Sequence, residues 1–128
     1  MTCLFCDQHD KAKNRVIAEN GLAFARWDNF PAAPGHAEIV PKRHVISVFD
    51  LTDSEVLAMY ALLREMRDVF EIFPGCKEPD GYTIGFNEGE AAGRTVHHAH
   101  LHIIPRHAGD VPNPRGGIRN IIPGKGDY

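Results

Sequence analysis

Five of the chain's eight histidines, His97, His98, His100, His102 and His107, fall within eleven residues. Three of them alternate with apolar residues in His98-Ala99-His100-Leu101-His102-Ile103, and on an extended strand successive side chains point to opposite faces. Ala99, Leu101 and Ile103 then enter the core, while His98, His100 and His102 line one exposed groove. β-Propensity gives no reason to choose histidine three times at that spacing, so the row points to chemistry. A single metal ion does not account for all three rings, because the α-carbons of His98 and His102 lie roughly 13 Å apart on an extended strand. Two adjacent rings can share an ion; three cannot. The alternative is attack on an anionic group that spans the groove, with one neutral imidazole as nucleophile and its neighbours as hydrogen-bond donors. Crowded imidazoles disfavour one another's charging, which keeps a nucleophile unprotonated at neutral pH. Phosphoryl or nucleotidyl transfer fits that geometry.

A second constellation lies at the N-terminus, where two of the three cysteines stand as Cys3-Leu4-Phe5-Cys6. In a reducing compartment such a pair is more often a metal or redox site than a structural disulfide. It supplies half of a tetrahedral zinc site, and two histidines must supply the rest. Unmetallated thiols are the alternative.

These residues need a scaffold, and the pattern predicts one domain over residues 1–128. Residues 15–19 and 22–27 flank Asn20-Gly21, a strong signal for a two-residue hairpin. A loop with two prolines follows from Asp28 to Gly35, and His36–Pro41 reads as a third strand ended by its proline. Thr52-Asp53-Ser54-Glu55 is a capping box. Val56, Tyr60, Leu63, Met66, Phe70 and Phe73 then form the apolar stripe of a long helix that Pro74-Gly75 stops, with Met59 and Met66 as core filler. Tyr82–Asn87 is the fourth strand, Glu88–Gly93 a turn, and Val96–Pro105 the fifth strand. Residues 108–128 hold five glycines and three prolines and read as an irregular tail. The class is α+β: a five-stranded antiparallel sheet covered on one face by one long helix.

Fourteen Lys+Arg against seventeen Asp+Glu give a net charge of −3, which argues against nucleic acid as a partner. The longest apolar run, Leu57–Leu63, is far shorter than the ~20 residues of a membrane span, and the first residues lack a signal-peptide pattern. The expectation is a cytoplasmic protein with no membrane partner.

The stretch Arg94-Thr95-Val96-His97-His98-Ala99-His100-Leu101-His102-Ile103-Ile104-Pro105-Arg106 resembles the signature of the histidine triad family. Pro34-Gly35-His36-Ala37-Glu38-Ile39-Val40-Pro41-Lys42-Arg43-His44 is similar to that family's upstream block, and Phe86-Asn87-Glu88-Gly89 to its Asn-Glu-Gly turn. The resemblance covers residues 3–106 in order and spacing. It implies a homodimer in which two sheets join, and a nucleotide hydrolase or nucleotidyl transferase that cleaves at the α-phosphorus of a purine nucleoside phosphoramidate or dinucleoside polyphosphate. Carried over to this sequence, it implies that His100 is the nucleophile and that His98, His102 and His36 complete a four-histidine set around the phosphate. It further implies that Asp28 binds ribose hydroxyls, that Asn87 contacts the phosphate side of the ligand and that Thr95 lies near the scissile oxygen. Arg94 stands where the family often has Gln, and either reaches a longer polyphosphate or points to solvent. Some relatives pair the two cysteines with the residues matching His44 and His98, which implies a structural zinc at Cys3, Cys6, His44 and His98 and no cofactor in the chemical step. A zinc-stabilised nucleotide-binding or partner-binding module with weak turnover is the competing reading, and a metallohydrolase using the strand histidines is disfavoured by their spacing.

Overall fold

The computed structural model describes residues 3–72 and 77–128. These form strands β1 (Val16–Glu19), β2 (Ala23–Trp27), β3 (Ala37–Pro41), β4 (Gly81–Gly85) and β5 (Leu101–Arg106), with one long helix, α1 (Asp53–Ile72). The sheet order is β1-β2-β3-β5-β4 and every neighbouring pair is antiparallel. The α+β class read from the sequence is the observed one. No described helix is long and apolar enough to cross a membrane.

The β1–β2 hairpin forms at Asn20-Gly21, but the turn sits one residue later than a simple Asn-Gly pair would place it. The Asn20 amide donates to the Ala23 carbonyl, so Gly21 and Leu22 span the turn. Gly21 does not take the positive φ that a primed turn demands of its first central residue. Instead, the Asn20 side chain closes the turn. Its Oδ1 accepts from the amides of Leu22 and Ala23, and its Nδ2 donates to the Ala58 carbonyl of α1 at 2.9 Å.

The capping box at the start of α1 is made as the sequence predicts. The Glu55 amide donates to Thr52 Oγ1 at 3.1 Å, and the Thr52 amide donates to Glu55 Oε1 at 2.9 Å. Arg43, just beyond β3, adds Nε and Nη2 to the same carboxylate at 3.0 and 2.8 Å. The buried line of the helix is rotated from the expected stripe: Met59, Leu62, Met66 and Phe70 pack on Ala23, Ala25, Ala37, Ile39 and Ile103. Val56 and Tyr60 are 49% and 55% exposed, so they are not core. Spacings of three and four suit either of two adjacent lines on a helix. Glu55 lies on the line of Met59 and Leu62, and Arg43 draws that line toward the sheet. Small alanines on β2 and β3 leave room for the longer helix side chains. Phe73 and the Pro74-Gly75 stop lie outside the described residues.

The fifth strand is shorter than Val96–Pro105. The β3–β5 ladder pairs Ala37 with Ile103, Glu38 with His102 and Ile39 with Leu101, and there it ends. Pro41 has no N–H to continue it, its carbonyl accepts from the His98 ring instead, and the Ala99 amide donates to the Val45 carbonyl at 2.7 Å. β4 stops at Gly85, the partner of His102, which leaves Phe86 and Asn87 outside the ladder. On the face opposite α1, Phe24 and Val40 pack with Phe5, Leu4, Cys3 and Val96, so the N-terminal segment covers the sheet.

Truncating a fully buried side chain removes its transfer energy and leaves a cavity. Met66→Ala is therefore expected to lower unfolding free energy in urea by about 3 kcal/mol, and Tyr60→Ala by less than about 1 kcal/mol. The reverse order would show that the outer line is the docked one.

Candidate active site and metal centre

Arg26 on β2, Glu38 on β3, His102 on β5 and Gly85 on β4 are direct cross-strand partners, so one row crosses the sheet on the face away from α1. A cleft of about 340 Å³ opens over this row, and His100, His102, Asp28, Asn87 and Thr95 all line it. The three strand histidines share one side, as alternation predicts, yet they are not exposed: His98 is fully buried, His100 is 7% exposed and His102 is half-buried. The N-terminal segment accounts for the difference, since Phe5 packs edge-on against both His98 and His100.

Backbone groups set the tautomers of His100 and His36 directly, and that of His102 through His36. A neutral imidazole carries one N–H, and the partner of one nitrogen decides the state of the other. His100 Nδ1–H donates to the His98 carbonyl at 2.8 Å, which leaves His100 Nε2 with a bare lone pair. His36 Nδ1 accepts from the Ala32 amide at 3.0 Å, so its Nε2–H donates to His102 Nδ1 at 2.9 Å. That leaves an Nε2–H on His102. Burial lowers the pKa of His36 and His100, and burial with the two neighbouring rings takes His102 down to about 4. At neutral pH the groove thus holds an uncharged imidazole with a bare nitrogen, His100 Nε2, beside an uncharged donor, His102 Nε2–H.

His98 belongs to a different centre. Its Nε2–H donates to the Pro41 carbonyl at 2.7 Å, and its bare Nδ1 faces Cys3 Sγ at 3.4 Å and Cys6 Sγ at 3.7 Å. His44 Nδ1 lies 3.3 Å from Cys6 Sγ, and the four donor atoms are all within 4.8 Å of one another. A tetrahedron with the usual Zn–S and Zn–N lengths has edges of roughly 3.5 Å between sulfur and nitrogen. Two thiols, two imidazoles and a carbonyl holding the His98 ring from behind fit a structural zinc. His98 thus turns its ring to the cysteines and only its carbonyl to His100.

The remaining expected residues sit around the cleft. Asp28 Oδ1 accepts from the Phe30 amide at 2.7 Å, while its Oδ2 lies 3.5 Å from His36 Nε2. Asn87 and Thr95 are exposed at the rim. Arg94 does not point to solvent: its Nη1 reaches Glu88 Oε2 at 3.3 Å, and Glu88 Oε1 accepts from the Val48 amide at 2.7 Å. Two residues of the floor escaped the sequence reading. Arg26 and Glu38 form a buried hydrogen-bonded pair, with Arg26 2% and Glu38 4% exposed. Glu38 Oε2 lies 3.6 Å from His100 Nε2. Burial, with the Asp28 charge adding to it, pushes the Glu38 carboxyl up to about 7 against the pull of Arg26. A charge of each sign inside two apolar strands that share a hairpin register was the available signal.

Long-range proton–nitrogen NMR correlations at neutral pH are expected to show His100 as the Nδ1–H tautomer, and His36 and His102 as Nε2–H. An Nε2–H tautomer at His100 would remove the bare nitrogen from the groove.

A family model described as HIT domain matches residues 9–109. Bis(5'-adenosyl)-triphosphatase of Dictyostelium discoideum is 40% identical over 102 residues, 79% of this chain and 66% of that one. Adenosine 5'-monophosphoramidase of Schizosaccharomyces pombe is 29% identical over 122 residues, 92% of this chain and 80% of that one. Among solved structures, a zinc-bound histidine triad family protein of Mycobacterium smegmatis has a TM-score of 0.73 and 34% identity, over 86% of this chain and 78% of that one. With the family match running from the segment before β1 through the last histidine of the row, the chain belongs to the histidine triad family.

Proposed function

We propose that this protein cleaves at the α-phosphorus of a nucleoside phosphoramidate or dinucleoside polyphosphate through a nucleotidyl-His100 intermediate. The observation that carries the reading is the opposed pair of tautomers, a bare His100 Nε2 next to a donating His102 Nε2–H in one cleft. His100 attacks phosphorus. His102 donates to a phosphoryl oxygen as charge builds there, and His36 holds His102 in the donating state. His98 orients the nucleophile through its carbonyl. Thr95 and Asn87 meet the phosphate end of the ligand, and Asp28 meets the ribose hydroxyls. The two named relatives, a dinucleoside triphosphatase and a phosphoramidase, support the nucleotide class and span both leaving groups.

Incubation with a radiolabelled adenylyl donor, followed by peptide mapping, is expected to put label on His100. His100→Ala should lose turnover by several powers of ten yet bind nucleoside monophosphate, and His102→Ala should lose about a hundredfold in kcat. Label on another histidine, or full activity in His100→Ala, would falsify the assignment.

Zinc at Cys3, Cys6, His44 and His98 is the second part of the reading. The donor set supports it, and the zinc-bound relative is consistent with it. The ion supplies a cross-link between the N-terminal segment, the chain after β3 and the approach to β5, and its chemistry there is structural. One zinc per chain is expected in protein purified without chelator. Its removal should lower the melting temperature by several degrees while leaving nucleoside monophosphate affinity within about threefold. An equal metal content in Cys3→Ser plus Cys6→Ser would place the ion elsewhere.

A further inference from the structure

Glu38 sits where an anion-binding site has least use for a second negative charge. Its Oε1 is held by Arg26 Nη1, and its Oε2 lies 3.6 Å from the bare His100 Nε2. A lone pair facing a carboxylate oxygen is repulsive unless a proton lies between them. His100 Nδ1–H is already committed to the His98 carbonyl, so a second proton on the ring would abolish the nucleophile. The carboxyl is the other place for that proton. Its surroundings favour this: Arg26 and Asp28 face it from the β2 side, His100 and His102 from β5, and water is largely excluded. Arg26 is itself fixed, its Nη2 donating to the Lys13 carbonyl at 3.0 Å and its guanidinium 5.0 Å from the Phe5 ring centre.

Resting on the nucleotidyl-transfer reading, we propose that Glu38 is a further catalytic residue. It enters the reaction as a neutral carboxylic acid, keeps the proton that would block His100 Nε2, and donates a hydrogen bond to a non-bridging oxygen of the α-phosphoryl group. In the transfer step the Nε2–phosphorus bond forms and the bond from phosphorus to the leaving oxygen or nitrogen breaks. The electron pair departs on that leaving atom, which takes its proton from water. Glu38 retains its own proton throughout, sharing it more strongly as charge grows on the phosphoryl oxygen. Arg26 is a positioning residue that holds Oε1 so that Oε2 faces the reacting atoms.

Three variants and one spectrum test this. Glu38→Gln keeps a donor of the same shape and should lose about tenfold in kcat, whereas Glu38→Leu should lose about a hundredfold or more with KM changed less than about threefold. Glu38→Leu also takes away the carboxyl oxygen that accepts from the buried Arg26 guanidinium and should lower the melting temperature. Arg26→Leu combined with Glu38→Leu removes both buried polar partners and should recover the melting temperature while kcat stays low. Recovery of kcat together with stability would reduce the pair to a packing role, and Glu38→Gln as impaired as Glu38→Leu would mean that an ionised carboxylate is required. Infrared difference spectra of wild type against Glu38→Gln at about pH 6, without substrate, should show a protonated carboxyl band. A carboxylate band alone overturns the proposal. Absence of wild-type turnover counts against the transfer reading, whereas the infrared band reads the Glu38 proton independently of it.

Discussion

Pro41 can donate no ladder hydrogen bond, and much of the site follows from that one missing N–H. The β3–β5 pairing ends at Ile39 and Leu101, so the chain before Leu101 leaves the sheet. The Pro41 carbonyl, unclaimed by a strand, takes His98 Nε2–H and turns the other nitrogen of that ring toward the cysteines. The His98 carbonyl in turn takes His100 Nδ1–H and bares the nitrogen that faces the cleft. A proline at a strand end thus sets the cysteine-facing side of one imidazole and the cleft-facing side of the next. The fixed tautomers leave each imidazole with one defined donor and one defined acceptor nitrogen.

The floor of the cleft depends on a different balance. A buried guanidinium that loses its hydrogen-bond partner is strongly destabilising, on the order of 3–5 kcal/mol. Arg26 and Glu38 are therefore locked to each other, and Arg26 extends the lock by binding the Lys13 carbonyl and lying near the Phe5 ring. Phe5 stands between the two cysteines in sequence and against His98 and His100 in space. The cysteine loop, the Arg26–Glu38 pair and His100 consequently meet around one ring. This accounts for an N-terminal segment packed over the sheet in a chain whose other face already carries a helix.

How much of this was legible beforehand depended on range. The capping box at Thr52–Glu55 is a contact across three residues, and it formed as read. The hairpin was legible in Asn20-Gly21, although the Asn20 side chain, bonded to Ala58 far along the chain, moved the turn by one residue. The alternation of His98, His100 and His102 carried over to a shared side even where the backbone is not strand, because Ala99 and Ile103 still had to be buried. The line of α1 that docks was not legible, since two adjacent lines satisfy the same spacing and the Arg43–Glu55 bond selects between them. Nor was the start of β5, which depends on what a proline 60 residues earlier fails to donate.

The amino-acid sequence by itself determined the strand and helix order, the helix start, the common side of the histidine row and the residue types available for transfer chemistry and metal binding. These rest on local periodicity and short-range hydrogen bonds, which act within a few residues. Only the tertiary structure decided which nitrogen of each imidazole is bare, that His98 serves the cysteines while His100 serves the cleft, and that Glu38 and Arg26 form its floor. His98, His102 and the Arg26–Glu38 pair are fixed by partners from another strand or loop, and the backbone groups two and four residues from His100 and His36 reach those rings only in the folded chain. An imidazole or a carboxyl takes its protonation state from the groups that surround it, and those groups meet only when the sheet has closed.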